Sequence, residues 1–152
     1  MLLRHATPDD VPLICSLEQQ AETAAHWTER EYAALFASDA PPRMALIAAD
    51  DAGTELRGFA IVLCLPDEWE IENVVVAPQH RRRGLATALV RKILHEAWRS
   101  NITSVLLEVR ESNRAARQLY EKLGFSEFGR RLGYYQDPSE DALRLRASIA
   151  FA

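Results

Sequence analysis

Long hydrophobic runs are missing from this 152-residue chain, and glycine and cysteine are scarce, at 6 and 2 copies. No apolar stretch approaches the roughly 18 residues of a membrane-spanning helix. So few glycines exclude a collagen-like repeat, and two cysteines exclude a disulfide-stapled scaffold. Cys15 and Cys64 sit in apolar stretches and read as buried thiols of a reducing compartment, so a cytoplasmic location is expected. Met1-Leu2-Leu3-Arg4-His5 puts no basic region ahead of a long apolar core, and no signal peptide is expected. His5, His26, His80 and His95 lack metal-ligand spacing, so no metal is expected either. No low-complexity tract or internal repeat is present. What remains is an ordinary globular composition, 48% hydrophobic, and a length that predicts a single domain over residues 1–152.

The net charge of −4 hides a split. Residues 1–76 carry 4 basic and 14 acidic side chains, a net of −10, and residues 77–152 carry 14 and 8, a net of +6. The overall acidity argues against a nucleic-acid face, whereas a small polyanion held by the second half fits.

The pattern predicts the order β-α-α-β-β-β-α-β-α-β-β. Leu2–Ala6 reads as a strand, and Thr7-Pro8-Asp9-Asp10 starts a helix running to about Ala24. Thr28 with Glu31 forms a capping box for a second helix. Strands follow at Met44–Ala49, Leu56–Leu65 and Trp69–Val76, divided by Asp50-Asp51-Ala52-Gly53 and Pro66-Asp67 turns. Gly84 opens a helix whose Leu85, Leu89, Ile93 and Ala97 form one buried face. After a strand at Ser104–Arg110, Ser112-Asn113 caps a helix ending at Gly124, with Phe125 folding back on Tyr120. Strands at about Ser126–Leu132 and Ala142–Ile149 flank a polar loop. The fold class is therefore α/β (α+β): a mixed, mostly antiparallel sheet of about seven strands with about four helices on its faces.

The chemistry concentrates in Val74-Val75-Val76-Ala77-Pro78-Gln79-His80-Arg81-Arg82-Arg83-Gly84-Leu85-Ala86. A hydrophobic strand runs into a basic loop, and the loop into a helix. Unpaired N–H groups and the positive dipole end make a helix N-terminus attractive to anions. Gly84 and Ala86 leave room for close approach, and three arginines add charge. The geometry predicted is a pyrophosphate cradle; the plainer reading is a solvated basic turn. It is not a P-loop, because the Gly-Lys-Ser/Thr ending is missing. Nor is it a dinucleotide fingerprint, which needs three glycines.

Arg81-x-x-Gly84-x-Ala86 resembles the Gln/Arg-x-x-Gly-x-Gly/Ala motif of the GNAT acetyltransferases. Asn113-x-x-Ala116-x-x-Leu119-Tyr120-x-x-Leu123-Gly124-Phe125 is similar to the second signature of that superfamily. Finer details resemble the ribosomal-protein alanine N-acetyltransferases, the RimI type. These are His26-Trp27-Thr28-Glu29, Leu107-Glu108-Val109-Arg110-x-Ser112-Asn113, and Arg130-Arg131-x-x-Tyr134-Tyr135 followed by Glu140-Asp141-Ala142. Two positions depart from that pattern: His26 replaces a proline, and Glu72 stands where an apolar residue is usual.

The resemblance implies the GNAT fold and acetyl-CoA as co-substrate. The pyrophosphate would be held by Arg81, Arg82, Arg83, Gly84, Leu85, Ala86 and Thr87, alongside Val74, Val75 and Val76 of the preceding strand. Asn113 would hydrogen-bond the pantetheine arm, although helix capping alone explains it. Trp27, Glu72, Asn73 and Tyr134 are the candidate acceptor-binding residues, and Trp27 and Tyr134 read equally as packing aromatics.

Aminolysis of a thioester needs an oxyanion donor, a base for the amine and an acid for the sulfur. A backbone N–H near Val74, freed by a bulge, is the candidate oxyanion donor. Tyr120 is the candidate acid, since a phenol of pKa about 10 is protonated at neutral pH; its other reading is a core aromatic under Phe125. Glu108 is the candidate base, by the resemblance, with an ion pair to Arg110 as the plainer alternative. Glu72 is the second choice.

An α-amine, of pKa about 7.7–8.0, is partly neutral at pH 7, whereas a lysine must first lose its proton at about 4–5 kcal/mol. One carboxylate suits the former better. The expected function is transfer of acetyl from acetyl-CoA to the N-terminal α-amine of a protein, the N-terminal alanine of a ribosomal protein, by direct attack in a ternary complex. The expected partners are acetyl-CoA and that N-terminal peptide, without direct nucleic-acid or membrane contact. The alternatives are a GNAT enzyme for a small amine or a lysine, and a non-catalytic acetyl-CoA sensor.

Overall fold

The computed structural model describes residues 1–21, 27–136 and 138–149. The strands are β1 (Leu2–His5), β2 (Arg43–Ala49), β3 (Leu56–Cys64), β4 (Trp69–Val76), β5 (Ser104–Arg110), β6 (Phe125–Tyr135) and β7 (Glu140–Ser148). The helices are α1 (Val11–Gln19), α2 (Glu29–Ala33), α3 (Leu85–Arg99) and α4 (Arg114–Lys122). The strands form a seven-stranded sheet in the order β1-β2-β3-β4-β5-β7-β6. β4 and β5 pair parallel, and β1–β2, β2–β3, β5–β7 and β6–β7 pair antiparallel. The mixed sheet and the order of elements are those the sequence predicts. No helix among the described residues is long and apolar enough to cross a membrane.

The chain makes two compact units, one of Met1–Cys64 with Glu72–Ile93, the other of Leu65–Ile71 with the chain from Leu94 on. In the first unit, Ile14 and Leu17 of α1, Tyr32 of α2, Ile47, Phe59, Ile61 and Val75 form the core. Tyr32 meets Phe59 edge-on, with ring centroids 5.8 Å apart, so Phe59→Ala would cost about 3–5 kcal/mol. Gly58 of β3 packs so tightly that an added Cβ would lie 2.8 Å from the Val75 carbonyl. Any larger residue would push β4 outward.

One expectation here needs correcting. α1 ends at Gln19, short of Ala24, as Gln20 and Ala21 turn back on Leu17 and Glu18 with three-residue bonds. Residues 22–26, including His26, lie outside the described residues. The start of this segment is a 3-10 turn over Pro8–Asp10, held by the Asp10 carboxylate, which accepts the Thr7 N–H at 2.7 Å. The box at Thr28 forms as expected: its hydroxyl accepts the Glu31 N–H, and the Glu31 carboxylate accepts the Thr28 N–H.

In the second unit, β5 alternates with a two-residue period. Val105, Leu107 and Val109 lie on one face, Glu108 and Arg110 on the other. α4 is capped by Asn113, whose side-chain oxygen accepts the Ala116 N–H at 3.2 Å. It ends at Gly124, which takes φ +96°, the left-handed stop that glycine permits. Phe125 then returns to Tyr120, with centroids 5.5 Å apart. The polar loop is shorter than expected, because β6 runs on to Tyr135 and β7 starts at Glu140. Register shifts at Glu127/Gly129 and Arg131/Tyr135 absorb the extra residues.

Candidate active site

The loop between β4 and α3 has alternating backbone handedness. Arg81 is extended, Arg82 takes φ +65° and Gly84 takes φ +78°. The first bond into α3 runs from the Ala88 N–H to the Gly84 carbonyl at 2.9 Å. The N–H groups of Leu85, Ala86 and Thr87 therefore stand ahead of the helical ladder. A Cβ built on Gly84 meets nothing within 4 Å, so the ground over the turn is open. Arg81, Arg82 and Arg83 are exposed beside it, and Arg81 Nε donates to the Val76 carbonyl at 3.4 Å. This turn fits a diphosphate: open backbone donors, a helix N-terminus and three cations. On β4, Val75 is buried and Val74 and Val76 share the half-buried face of Glu72.

The same unit brings Trp27 and Glu72 together through a residue the sequence did not single out. Arg43 lies over the Trp27 ring, 5.2 Å from its centroid. Its Nε and Nη2 donate to the two Glu72 oxygens at 2.6 and 3.2 Å. Both carboxylate oxygens of Glu72 are thereby engaged. Asn73 goes elsewhere: it is buried, and its amide donates to the Tyr32 hydroxyl at 2.9 Å. Tyr32 in turn donates to Glu18 at 2.8 Å, and Glu18 accepts the Trp27 N–H at 2.6 Å. Asn73 thus braces the chain that carries Trp27. Burial, then Glu18, pushes the Tyr32 phenol far up.

In the second unit, Glu108 is not paired with Arg110. Register places Arg144 directly opposite it, and its Oε1 receives Arg131 Nε at 2.5 Å and Arg144 Nε at 3.5 Å. Arg110 instead binds Glu140 at 3.2 Å and lies over the Tyr135 ring at 4.3 Å. Same-face spacing along β5 is a weaker constraint than the cross-strand pairing that brings Arg144 to Glu108. Arg131 also lies 5.5 Å from the ring centroid of Tyr134, so Tyr134, Arg131 and Glu108 form one chain of contacts. Tyr134 itself is 53% exposed.

Tyr120 is buried, and burial, with a smaller contribution from Tyr135, pushes its phenol up to about 12. It stays protonated throughout the neutral range. Tyr135, which sequence reasoning did not single out, is also pushed up to about 12, first by burial and then by Glu108. The β6 pattern gives no local signal that would have found it, because the strand is exposed over most of its length and its register shifts between Arg131 and Tyr135.

The model of the acetyltransferase (GNAT) family matches residues 12–125. This chain belongs to that family. It is 35% identical, over 93% of both chains, to the [ribosomal protein bS18]-alanine N-acetyltransferase of Escherichia coli K12. The crystal structure of the ribosomal-protein-S18-alanine N-acetyltransferase from Escherichia coli superposes with a TM-score of 0.87 at 30% identity. That match covers 99% of this chain and 95% of the other. Ard1 from Thermoplasma volcanium has the same fold, with a TM-score of 0.84 at 23% identity over 99% and 98% of the two chains. This GNAT protein is an acetyl-CoA-dependent N-acetyltransferase.

Proposed function

We propose that this acetyltransferase modifies the N-terminal α-amine of a protein, the N-terminal alanine of a ribosomal protein, in the cytoplasm. The observation that carries the reading is the 35% identity over 93% of both chains to an enzyme named for alanine acetylation of bS18. We read residues 1–152 as one catalytic domain.

Acetyl-CoA supplies the acetyl thioester. The turn from Arg81 to Thr87 holds its pyrophosphate with backbone N–H groups and guanidinium charge. The β4 segment Val74–Val76 lies beyond the β5 register, which runs from Trp69↔Val105 to Ile71↔Leu107; we assign its backbone to the thioester end. Both arginine contacts of Glu108 fall on Oε1, and we assign Oε2 to taking the amine proton through water. Tyr120, protonated at neutral pH, delivers a proton to the departing sulfur. Asn113 contributes by capping α4, which fixes the helix that carries Tyr120. Trp27, Glu72 and Tyr134 are assigned to the acceptor side.

The test is a screen with acetyl-CoA against peptides starting with alanine, peptides with blocked N-termini and an internal lysine, and small amines. Mass spectrometry then locates the acetyl group. Acetylation confined to the α-amine is the expected result. Preferential turnover of lysine or small amines would overturn the acceptor assignment, and coenzyme binding without any turnover would indicate a sensor.

A further inference from the structure

The coenzyme turn contains a buried polar side chain to which the mechanism above gives no role. His80 is 9% exposed, between the end of β4 and the arginines. Its Nε2 lies 2.5 Å from Glu55 Oε1, and its Nδ1 lies 3.4 Å from Arg83 Nη1. An ionised carboxylate only accepts and a guanidinium only donates. The two partners therefore select one tautomer, with the proton on Nε2 and the Nδ1 lone pair turned to Arg83. Glu55 is itself fixed, as its N–H donates to Asp50 at 2.9 Å and its carbonyl accepts the Asp50 N–H at 3.1 Å. Arg57 Nε lies 3.8 Å from the same Glu55 oxygen. All of these residues belong to the first compact unit.

We infer that His80 is a positioning residue that aims Arg83 at the coenzyme pyrophosphate. The inference rests on the reading of the turn as the pyrophosphate site. The His80 Nδ1 gives Arg83 a contact on the protein side, which holds an otherwise exposed side chain beside the open turn. The charged groups that face the ring are Glu55 from the turn before β3, Arg57 from β3 and Arg83 from the loop. Arg81 and Arg82 add charge from the same loop.

Two substitutions separate the ring's two jobs. In His80→Gln the amide reaches toward Glu55 but offers Arg83 nothing at the Nδ1 position. In His80→Asn the side-chain oxygen stands near where Nδ1 stood. Calorimetry with coenzyme A, and KM for acetyl-CoA with an alanine-starting peptide, provide the readouts. His80→Gln should raise Kd and KM about three- to tenfold, the size of one hydrogen bond, with the effect on KM rather than kcat. His80→Asn should restore most of the affinity. In an Arg83→Ala background, His80→Gln should add less than about twofold, because the contact it removes is already gone. The inference is overturned if His80→Gln and Arg83→Ala act additively. It is also overturned if Asn behaves as Gln does. Should the Gln variant fail to fold, the Asn variant decides: a loss of affinity in His80→Asn as large as that in Arg83→Ala overturns it. If reversing charge at Arg82 and Arg83 leaves coenzyme affinity unchanged, the pyrophosphate reading itself fails. If that reversal weakens binding while His80→Gln does not, only the role of His80 fails.

Discussion

The turn before α3 and the β5–α4 region of the second unit are built on opposite plans. The turn offers backbone N–H groups, left-handed residues and exposed guanidinium groups, so the hold on an anion proposed for it is shared among many small contributions. In the β5–α4 region the proposed chemistry rests on two side chains, Glu108 and Tyr120, each fixed by neighbours of particular identity. Glu108 is held by Arg131 and Arg144, and Tyr120 by burial and Phe125. A distributed site should lose function in small steps and a concentrated one in large steps.

The largest step should come from Tyr120→Phe. Removing the proton donor is expected to lower kcat/KM by about 10²–10⁴-fold, with no recovery at higher pH. Tyr135→Phe, in a phenol equally protonated, should cost far less. Equal losses would divide the acid role between the two rings. Circular-dichroism melting must show that both variants fold, since Tyr120 also packs on Phe125.

Glu108→Gln comes next, with a loss of about 10²-fold at pH 7 that shrinks as pH rises and the amine loses its proton unaided. Glu72→Gln should fall below it, because both Glu72 oxygens are already taken by Arg43. A Glu108→Gln variant with full activity at every pH, beside a dead Glu72→Gln, would move the base to β4.

Reversing charge at Arg82 and Arg83 should weaken coenzyme A binding roughly tenfold, more at low salt than at high salt. Either single reversal should do less, as a shared site requires.

The smallest effect concerns stability. Arg4 lies 2.8 Å from Asp10 at two points, and this pairing holds the Asp10 carboxyl below the usual carboxylate range. A lowered carboxyl stabilises the fold above the unfolded value of about 3.9 and loses that contribution as pH falls through the folded value. Asp10→Asn should therefore lower Tm at pH 7 by about 2–4 °C for each kcal/mol lost, and by little in strong acid. In the other unit Asp141 is also held low, by the Gly133 N–H and then Arg130, but in an exposed setting. Asp141→Asn should shift Tm less.

Most of the fold was legible because its signals are local. The four-residue rhythm of Leu85, Leu89, Ile93 and Ala97 depends on neighbours along the chain, as do the cap at Asn113, the stop at Gly124 and the alternation of β5. The basic turn was legible for the same reason. What the sequence hid is cross-strand. Nothing along the chain says that Arg144 will face Glu108, that Arg43 will take both oxygens of Glu72, or that Asn73 will turn inward to Tyr32. Those facts depend on register and on long-range partners. The early end of α1 is hidden likewise, because it goes with a Glu18 carboxylate bound to Trp27 and Tyr32 beyond the helix.

Arg82 carries a consequence for how such a protein can be improved or degraded by mutation. A side chain at φ +65° sits in a conformation that disfavours every residue with a Cβ, by about 1–2 kcal/mol. Glycine would relieve it, so selection for heat tolerance alone would drift position 82 toward glycine. Such a variant should survive higher temperature while starving at low coenzyme concentration. On the proposed reading of the turn, robustness and thrift with coenzyme therefore pull this one backbone angle in opposite directions.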